Sequence, residues 1–361
     1  MCGSGPPSLM SMAIKVRSDP TAPACAWATL PMPLRGCKTM SRPVPSLIAS
    51  EGPALLADVG GTYTRLAVAL PGAVLAATAT YANADYLDFE TLLRRYLAAL
   101  AADMRPRRAA VSVACPVIGE VVRLTNRDWS ISTRSLRRRF NFETVRVVND
   151  FTAVALAIPD LKPEERVQIG HGVAQPAAPI AVLGPGTGLG VSGLLPTGAG
   201  WTAIAGEGGH ATLAAGTDAE VAVVACLRTR HGHVSAERVL SGSGLADLYR
   251  CLAQRPASDI TPEQVTARAV SGDATAASAL AMFFGLLGGF AGNLALTLGA
   301  LGGVYIAGGI VPQLIEPLRR SSFRERFSSK GRFSDYLEAI PTFVVVAENP
   351  AFSGLRRCLR G

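Results

Sequence analysis

From Pro53 onward, short apolar runs alternate with glycine-rich turns. Residues 54–59 form an apolar run closing on Asp58-Val59-Gly60-Gly61-Thr62, and residues 65–70 form a second run just past that turn. Strand, glycine turn, strand is the pattern of a hairpin. Over residues 88–101, Phe89, Leu92, Leu93, Tyr96, Leu97 and Leu100 fall on one stripe at helical spacing, which predicts an amphipathic helix. Residues 109–115 predict a buried strand stopped by Pro116. Residues 145–148 predict another, ended by Asn149-Asp150, and residues 151–158 a helix that closes at Pro159.

The second half begins the same way. Residues 180–183 are apolar, 184–190 make a glycine-rich turn, and 191–195 predict a second strand. This repeat points to two related α/β domains facing a shared cleft, each lending it one hairpin turn. Helices are predicted over 218–229, 244–254 and 274–298, and a late strand over 303–307 before Gly308-Gly309. No charged residue occurs between Asp273 and Glu316, a run longer than the roughly 20 residues that span a bilayer. Gly285, Gly288, Gly289, Gly292, Gly299, Gly302 and Gly303 interrupt it, and it lacks the basic flank that sets orientation. A buried core helix followed by a central strand is therefore expected, with no membrane partner.

Residues 1–51 break this pattern. They are rich in Pro, Ser, Met and Ala, with Lys15, Arg17, Arg35, Lys38 and Arg42 against Asp19 and Glu51. A transit peptide is also basic and acid-poor, but it needs an amphipathic helix, which recurrent Pro disrupts. The expectation is a disordered tail, or a start assigned too far upstream with Met40 as the expected true start. The 361 residues are 49% hydrophobic and 17% charged, enough for a sizeable core. The net charge of +8 raises the question of a nucleic-acid partner. The basic residues sit in short clusters (Arg137, Arg138 and Arg139; Arg319 and Arg320; Arg356 and Arg357) with no interleaved aromatics, so solvated faces are expected and no nucleic acid. The seven cysteines are odd in number and scattered, with no CxxC pair. That argues against a disulfide framework or a zinc site and for a reducing compartment.

The glycine turns carry the candidate chemistry. At Gly60, Gly61 and Thr62, successive backbone N–H groups can form an anion-binding nest, and Asp58 is suited to Mg2+ held through water. Gly186, Thr187 and Gly188 make a second such turn. It lacks the Gly-Lys-Ser/Thr of a P-loop and is followed by a strand rather than the helix of a dinucleotide fingerprint. Gly308 and Gly309 offer bare backbone against which a nucleoside packs. Asn149-Asp150 alone reads as a helix cap; beside two phosphate-type turns, Asp150 becomes a candidate acceptor of a hydroxyl proton. Glu207, His210 and Glu237 make a poor zinc set and match better the many hydroxyls of a sugar. His231 and His233 have no such company and are expected on the surface.

Taken in order, the segments LLADVGGTYTRLAVA, VVNDFTAVALAIPDL, IAVLGPGTGLGVSGLL, AGEGGHATLA, ERVLSGSGLADLYR, GNLALTLGALGGVYIAGGIVP and KGRFSDYLEAIPTFVVVAENP resemble the bacterial-type glucokinase family of the hexokinase and actin-like ATPase superfamily. The resemblance runs from about residue 53 to 352. It implies an α/β fold of two actin-like (ribonuclease H-like) domains with a cleft between them. The small domain would be 53–160 plus about 343–361, and the large one 161–342. It further implies ATP-dependent phosphorylation of glucose at the 6-hydroxyl, in the cytoplasm, with Mg2+, and leaves a homodimer open. Asp150 would be the general base, and Asn149, Glu207, His210 and Glu237 sugar ligands. Gly60, Gly61, Thr62, Gly186, Thr187 and Gly188 would cradle the phosphates, with Gly308 and Gly309 flanking the adenosine. Tyr63 and Pro185 depart from the family pattern in the two phosphate turns. The alternatives are a kinase for another hexose or an amino sugar, and a sugar-responsive regulator on the same scaffold. The regulator would need a helix-turn-helix that residues 1–51 do not spell and a zinc-binding cysteine cluster that Cys226 and Cys251 do not supply.

Overall fold

The computed structural model describes residues 52–124, 127–198, 200–253 and 259–360. The expectations for residues 1–51 lie outside the described residues.

The first half builds β1 (Ala54–Val59), β2 (Tyr63–Ala69), β3 (Leu75–Ala82), α1 (Phe89–Ala98), β4 (Arg108–Val113), β5 (Val121–Arg123), β6 (Ser130–Ser132), α2 (Thr133–Phe140), β7 (Thr144–Asn149) and α3 (Asp150–Ala157). The main sheet has the order β3-β2-β1-β4-β7; β5 and β6 pair separately. β1–β2 and β2–β3 are antiparallel, and β1–β4 and β4–β7 are parallel. The predicted stripe of α1 is buried through Phe89, Leu92, Leu93 and Tyr96, and Asp88 caps it by accepting the Thr91 N–H at 2.7 Å.

The second half contributes β8 (Arg166–Ile169), β9 (Ile180–Pro185), β10 (Leu189–Thr197), β11 (Gly200–Ala205), α4 (Asp218–His231), α5 (Gly242–Ala253), α6 (Pro262–Val270), α7 (Ala274–Leu298), β12 (Val304–Ile306), α8 (Ile315–Arg319), α9 (Phe323–Ser328), α10 (Ser334–Glu338), β13 (Thr342–Val345) and α11 (Pro350–Cys358). Its sheet runs β11-β10-β9-β12-β13-β8. Apart from the edge strand β8, this repeats the first sheet: three antiparallel strands, then two parallel ones. The expected pair of related α/β halves is present.

Each half ends in a helix that packs on the other. α3 leaves β7 and buries Ala155 and Leu156 against Ile180, Val182 and Leu194 of the second sheet. α11 leaves the second sheet and buries Phe352 and Leu355 against Ala54, Leu56 and Ala110 of the first. The two helices cross so closely that a Cβ at Gly354 would overlap the carbonyl oxygen of Ala153. The expected domain boundary at about residue 343 falls inside β13, a strand of the second sheet.

The uncharged run divides as expected into α7 and β12. α7 is long and apolar enough to cross a membrane by length and composition, yet its middle is core: Phe283, Phe284, Leu287 and Ala291 are fully or almost fully buried. Gly288 and Gly292 let α9 approach, since side chains there would overlap the carbonyl oxygens of Phe323 and Phe327. Asp273 caps its start and Gly299, at φ 60°, ends it.

One expectation is overturned. Cys226 of α4 and Cys251 of α5 form a disulfide, with Cα atoms 6.1 Å apart, where the odd, scattered cysteines argue against a disulfide framework. Their separation of 25 positions in the sequence carries no pairing signal. The two helices lie side by side, and that adjacency is a property of the packed core alone.

Candidate active site

Asp150 sits where β7 ends and α3 begins. Asn149 takes the capping role: its Oδ1 accepts the N–H groups of Phe151 (2.9 Å) and Thr152 (3.2 Å), and its Nδ2 donates to the Cys115 carbonyl at 3.4 Å. Asp150 Oδ1 also accepts the Phe151 N–H at 2.8 Å. Burial pushes the Asp150 carboxyl up to about 6; the Phe151 N–H opposes the rise, and the charges of Asp58 and Glu207 add to it. Three of the acidic candidates, scattered over 150 residues of sequence, thus act on one point.

Asp58 is held at the inner end of the first hairpin. Ser112 Oγ donates to its Oδ1 at 2.8 Å, and Arg65 Nη1 lies 3.3 Å from its Oδ2. Asp58, Arg65, Asp150, Gly308, Gly309, Gln313 and Asn349 are among the residues lining a cavity of about 470 Å³. Gly60, Gly61 and Thr62 do not line it; Gly61 and Thr62 are exposed at the hairpin tip. That tip is shaped by Asn83, which is fully buried. Its Nδ2 donates to the carbonyls of Gly60 (2.8 Å) and Gly61 (3.2 Å), its N–H to the Thr62 carbonyl at 2.9 Å, and its Oδ1 accepts from Thr64 Oγ1 at 2.7 Å. The Tyr63 side chain is 53% exposed, so its departure from the family pattern costs the turn no packing.

The second turn is held differently. The Gly186 carbonyl accepts the Gly242 N–H at 2.9 Å, and the Gly186 N–H bonds to the Gly188 carbonyl at 2.8 Å. Glu237 Oε2 accepts the Leu189 N–H at 2.9 Å, while its own backbone N–H donates to the Gly209 carbonyl at 2.9 Å. Glu237 therefore clamps the phosphate-type turn to the 3-10 turn Gly208–His210, and its Oε1 lies 3.8 Å from His210 Nδ1. Gly308, at φ 87°, packs its backbone against Pro185, leaving no room for a side chain. The structure thus brings Gly186 beside Gly309, Gly188 beside Glu237, and His210 beside Glu237. Neither glycine turn lines the cavity, and neither do Asn149, Glu207, His210 and Glu237.

For a metal, the donor set fits an ion carried mainly by water and phosphate. Asp58 presents hard carboxylate oxygens at the cavity wall. Among the described residues no three His, Cys, Asp or Glu side chains gather into a metal cluster.

A family model described as Glucokinase matches residues 55–361. The chain belongs to the glucokinase family. It is 47% identical to the glucokinase of Chromobacterium violaceum over 307 residues, 84% of this chain and 88% of that protein. It is 46% identical over 314 residues to the bifunctional protein glk of Paraburkholderia xenovorans, 86% of this chain but 49% of that protein. The chain thus spans about half the length of several curated relatives that it matches. The crystal structure of a glucokinase from an Antarctic psychrotroph superposes with a TM-score of 0.78 at 37% identity, covering 85% of this chain and 98% of that one. The architecture is that of the actin-like, two-domain sugar kinases.

Within this glucokinase-family site, Asn83 and Arg65 had not been singled out from sequence. Asn83 lies between a strand and a helix, in no motif. Ser112, also passed over, did leave a trace: it is a hydroxyl in an otherwise apolar strand.

Proposed function

We propose that the chain transfers the γ-phosphoryl group of ATP to the 6-hydroxyl of glucose, in the cytoplasm, with Asp150 as the base. The observation that carries this reading is the Asp150 carboxylate itself: half-buried, at the wall of a cavity shared with Asp58, Arg65 and the Gly308-Gly309 backbone, and holding its proton up to about pH 6. Such a group is ionised at neutral pH and still basic enough to accept a hydroxyl proton.

Phosphoryl transfer depends mainly on positioning and charge stabilisation. The adenosine packs at Gly308 and Gly309, and the backbone N–H groups of Gly61, Thr62, Thr187 and Gly188 meet the phosphates when the two halves close, since the Gly60 and Gly186 N–H groups are already bonded within their turns. Asp58 would hold the metal through its water shell, and bound Mg2+ would neutralise phosphate charge. Asn149 already spends its Oδ1 on the helix cap and one Nδ2 hydrogen on the Cys115 carbonyl, which leaves the second Nδ2 hydrogen to meet a sugar oxygen. Glu207, His210 and Glu237 meet further hydroxyls, with Glu237 also holding the second turn in place. Water is a rival nucleophile, and closure of the two halves over the sugar excludes it.

Asp150→Asn tests the reading. It lowers kcat by at least about 10² with little change in ATP affinity; a near wild-type kcat would remove Asp150 from the role of base. A second readout separates chemistry from folding. The folded-state pKa of Asp150 stands above the ordinary 3.8. The ionised carboxyl is therefore destabilising by about 3 kcal/mol above pH 6, and this cost vanishes below about pH 4. Asp150→Asn consequently raises Tm at pH 7.5 and not at pH 4.

A further inference from the structure

We propose that Cys226 and Cys251 form a thiol–disulfide modification site that controls how firmly α5 supports the second glycine turn, and hence nucleotide binding. A dithiol would be its reductant. The proposal rests on the reading of that turn as part of a nucleotide site.

The placement of the two sulfurs carries the argument. Cys226 lies in the second half of α4 and Cys251 near the end of α5, both only partly buried and so open to a small reductant. One turn before Cys251, Asp247 takes three partners: Arg250 Nη1 at 2.7 Å from α5 itself, and Arg230 Nη1 and His231 Nε2, each at 3.4 Å, from α4. Arg230 is one turn past Cys226, and Arg250 is next to Cys251. The Asp247 contacts thus lie within about one turn of both half-cystines along the two helices.

The opposite end of α5 is at the candidate site. Its first residue, Gly242, donates its N–H to the Gly186 carbonyl at 2.9 Å. α4 is fixed independently: Glu220 in its first turn accepts the N–H groups of Gly216 and Thr217 and pairs with Arg326 of α9 at 2.9 Å. A continuous path thus runs from α9 through α4, across the disulfide, along α5 and into the turn. The disulfide is the link in that path with two chemical states. In the cytoplasm a disulfide rarely persists as a passive staple and is more often a redox sensor.

The exchange is balanced. A dithiol gives two electrons and two protons to the Cys226–Cys251 bond, leaving two protein thiols and one external disulfide. Oxidised glutathione reverses it through a mixed disulfide, releasing two molecules of glutathione.

The test compares the full chain after dithiothreitol and after oxidised glutathione. Alkylation with mass spectrometry reads the sulfurs, calorimetric titration with ATP reads nucleotide affinity, and a coupled assay reads KM for glucose. In the oxidised protein, Cys226 and Cys251 resist alkylation and are found in one linked peptide pair. Reduction lowers Tm by about 5 °C and weakens ATP binding about threefold, the scale of one lost hydrogen bond, while KM for glucose holds. Cys226→Ser behaves as the reduced form under both treatments, which sets aside effects of the other cysteines. Cysteines that stay alkylatable after oxidant would overturn the proposal. So would equal ATP affinity in the two states, or a Cys226→Ser protein that responds to dithiothreitol as the wild type does. A chain that binds ATP in a redox-dependent way but phosphorylates no sugar would count against the proposed reaction and leave this site standing.

Discussion

The two glycine hairpins share a topology and differ on one rung. Second inward from each turn, the first hairpin sets Asp58 opposite Arg65, and the second sets Gly184 opposite Gly190. The charged rung puts a carboxylate and a guanidinium on the cavity wall. The bare rung makes space: a Cβ at Gly190 would overlap the ring of Phe151, and one at Gly184 would lie 2.5 Å from its Cζ. Phe151 is the residue after Asp150. One hairpin therefore supplies charge facing the proposed base, and the other supplies the room that lets the base's neighbour pack. A duplicated backbone has been divided between chemistry and support, and glycine there is a packing requirement as much as a phosphate-binding device.

The largest effect is expected where the bare rung is filled. Gly190→Ala drives Phe151 off the hairpin, costing about 2 kcal/mol of stability by overpacking and about 10²-fold in kcat through a displaced Asp150. A folded variant with wild-type kcat would show that Phe151 moves without consequence and break the comparison. Next is the support of the first turn. Asn83→Ala leaves the Gly60 and Gly61 carbonyls and the Thr64 hydroxyl without their partner. Stability should fall by about 2 kcal/mol, and KM for ATP should rise with KM for glucose unchanged. Equal loss of both would mark general misfolding.

The charged rung is tested by pH. Asp150 must be ionised to accept a proton, so kcat/KM climbs as pH rises through about 6 and is level above it. Asp58 contributes to that high value by its negative charge. Asp58→Asn therefore moves the acid limb of the pH profile to lower pH, whatever it does to the plateau; an unmoved limb would separate the two carboxylates. The smallest effect belongs to the tip: Tyr63→Asn changes stability by less than about 0.5 kcal/mol, because the side chain stands in solvent. A Tm change of several degrees would give Tyr63 a partner that the exposed tip does not show.

Local signals made much of this protein legible. The hairpins, the stripe of α1, the length of α7 and the position of Asp150 at a strand end all follow from periodicities of two and 3.6 and from glycine punctuation, which act over a few residues. The motif order was enough to indicate the family. Tertiary structure alone decided what joins distant segments: the exchange of α3 and α11 between halves, Asn83 beneath the first turn, Glu237 as clamp of the second, and the pairing of Cys226 with Cys251. It also decided the proton affinity of Asp150. An aspartate at a strand end has an ordinary carboxyl until a fold buries it and brings Asp58 and Glu207 close, and no pattern along the chain encodes that approach.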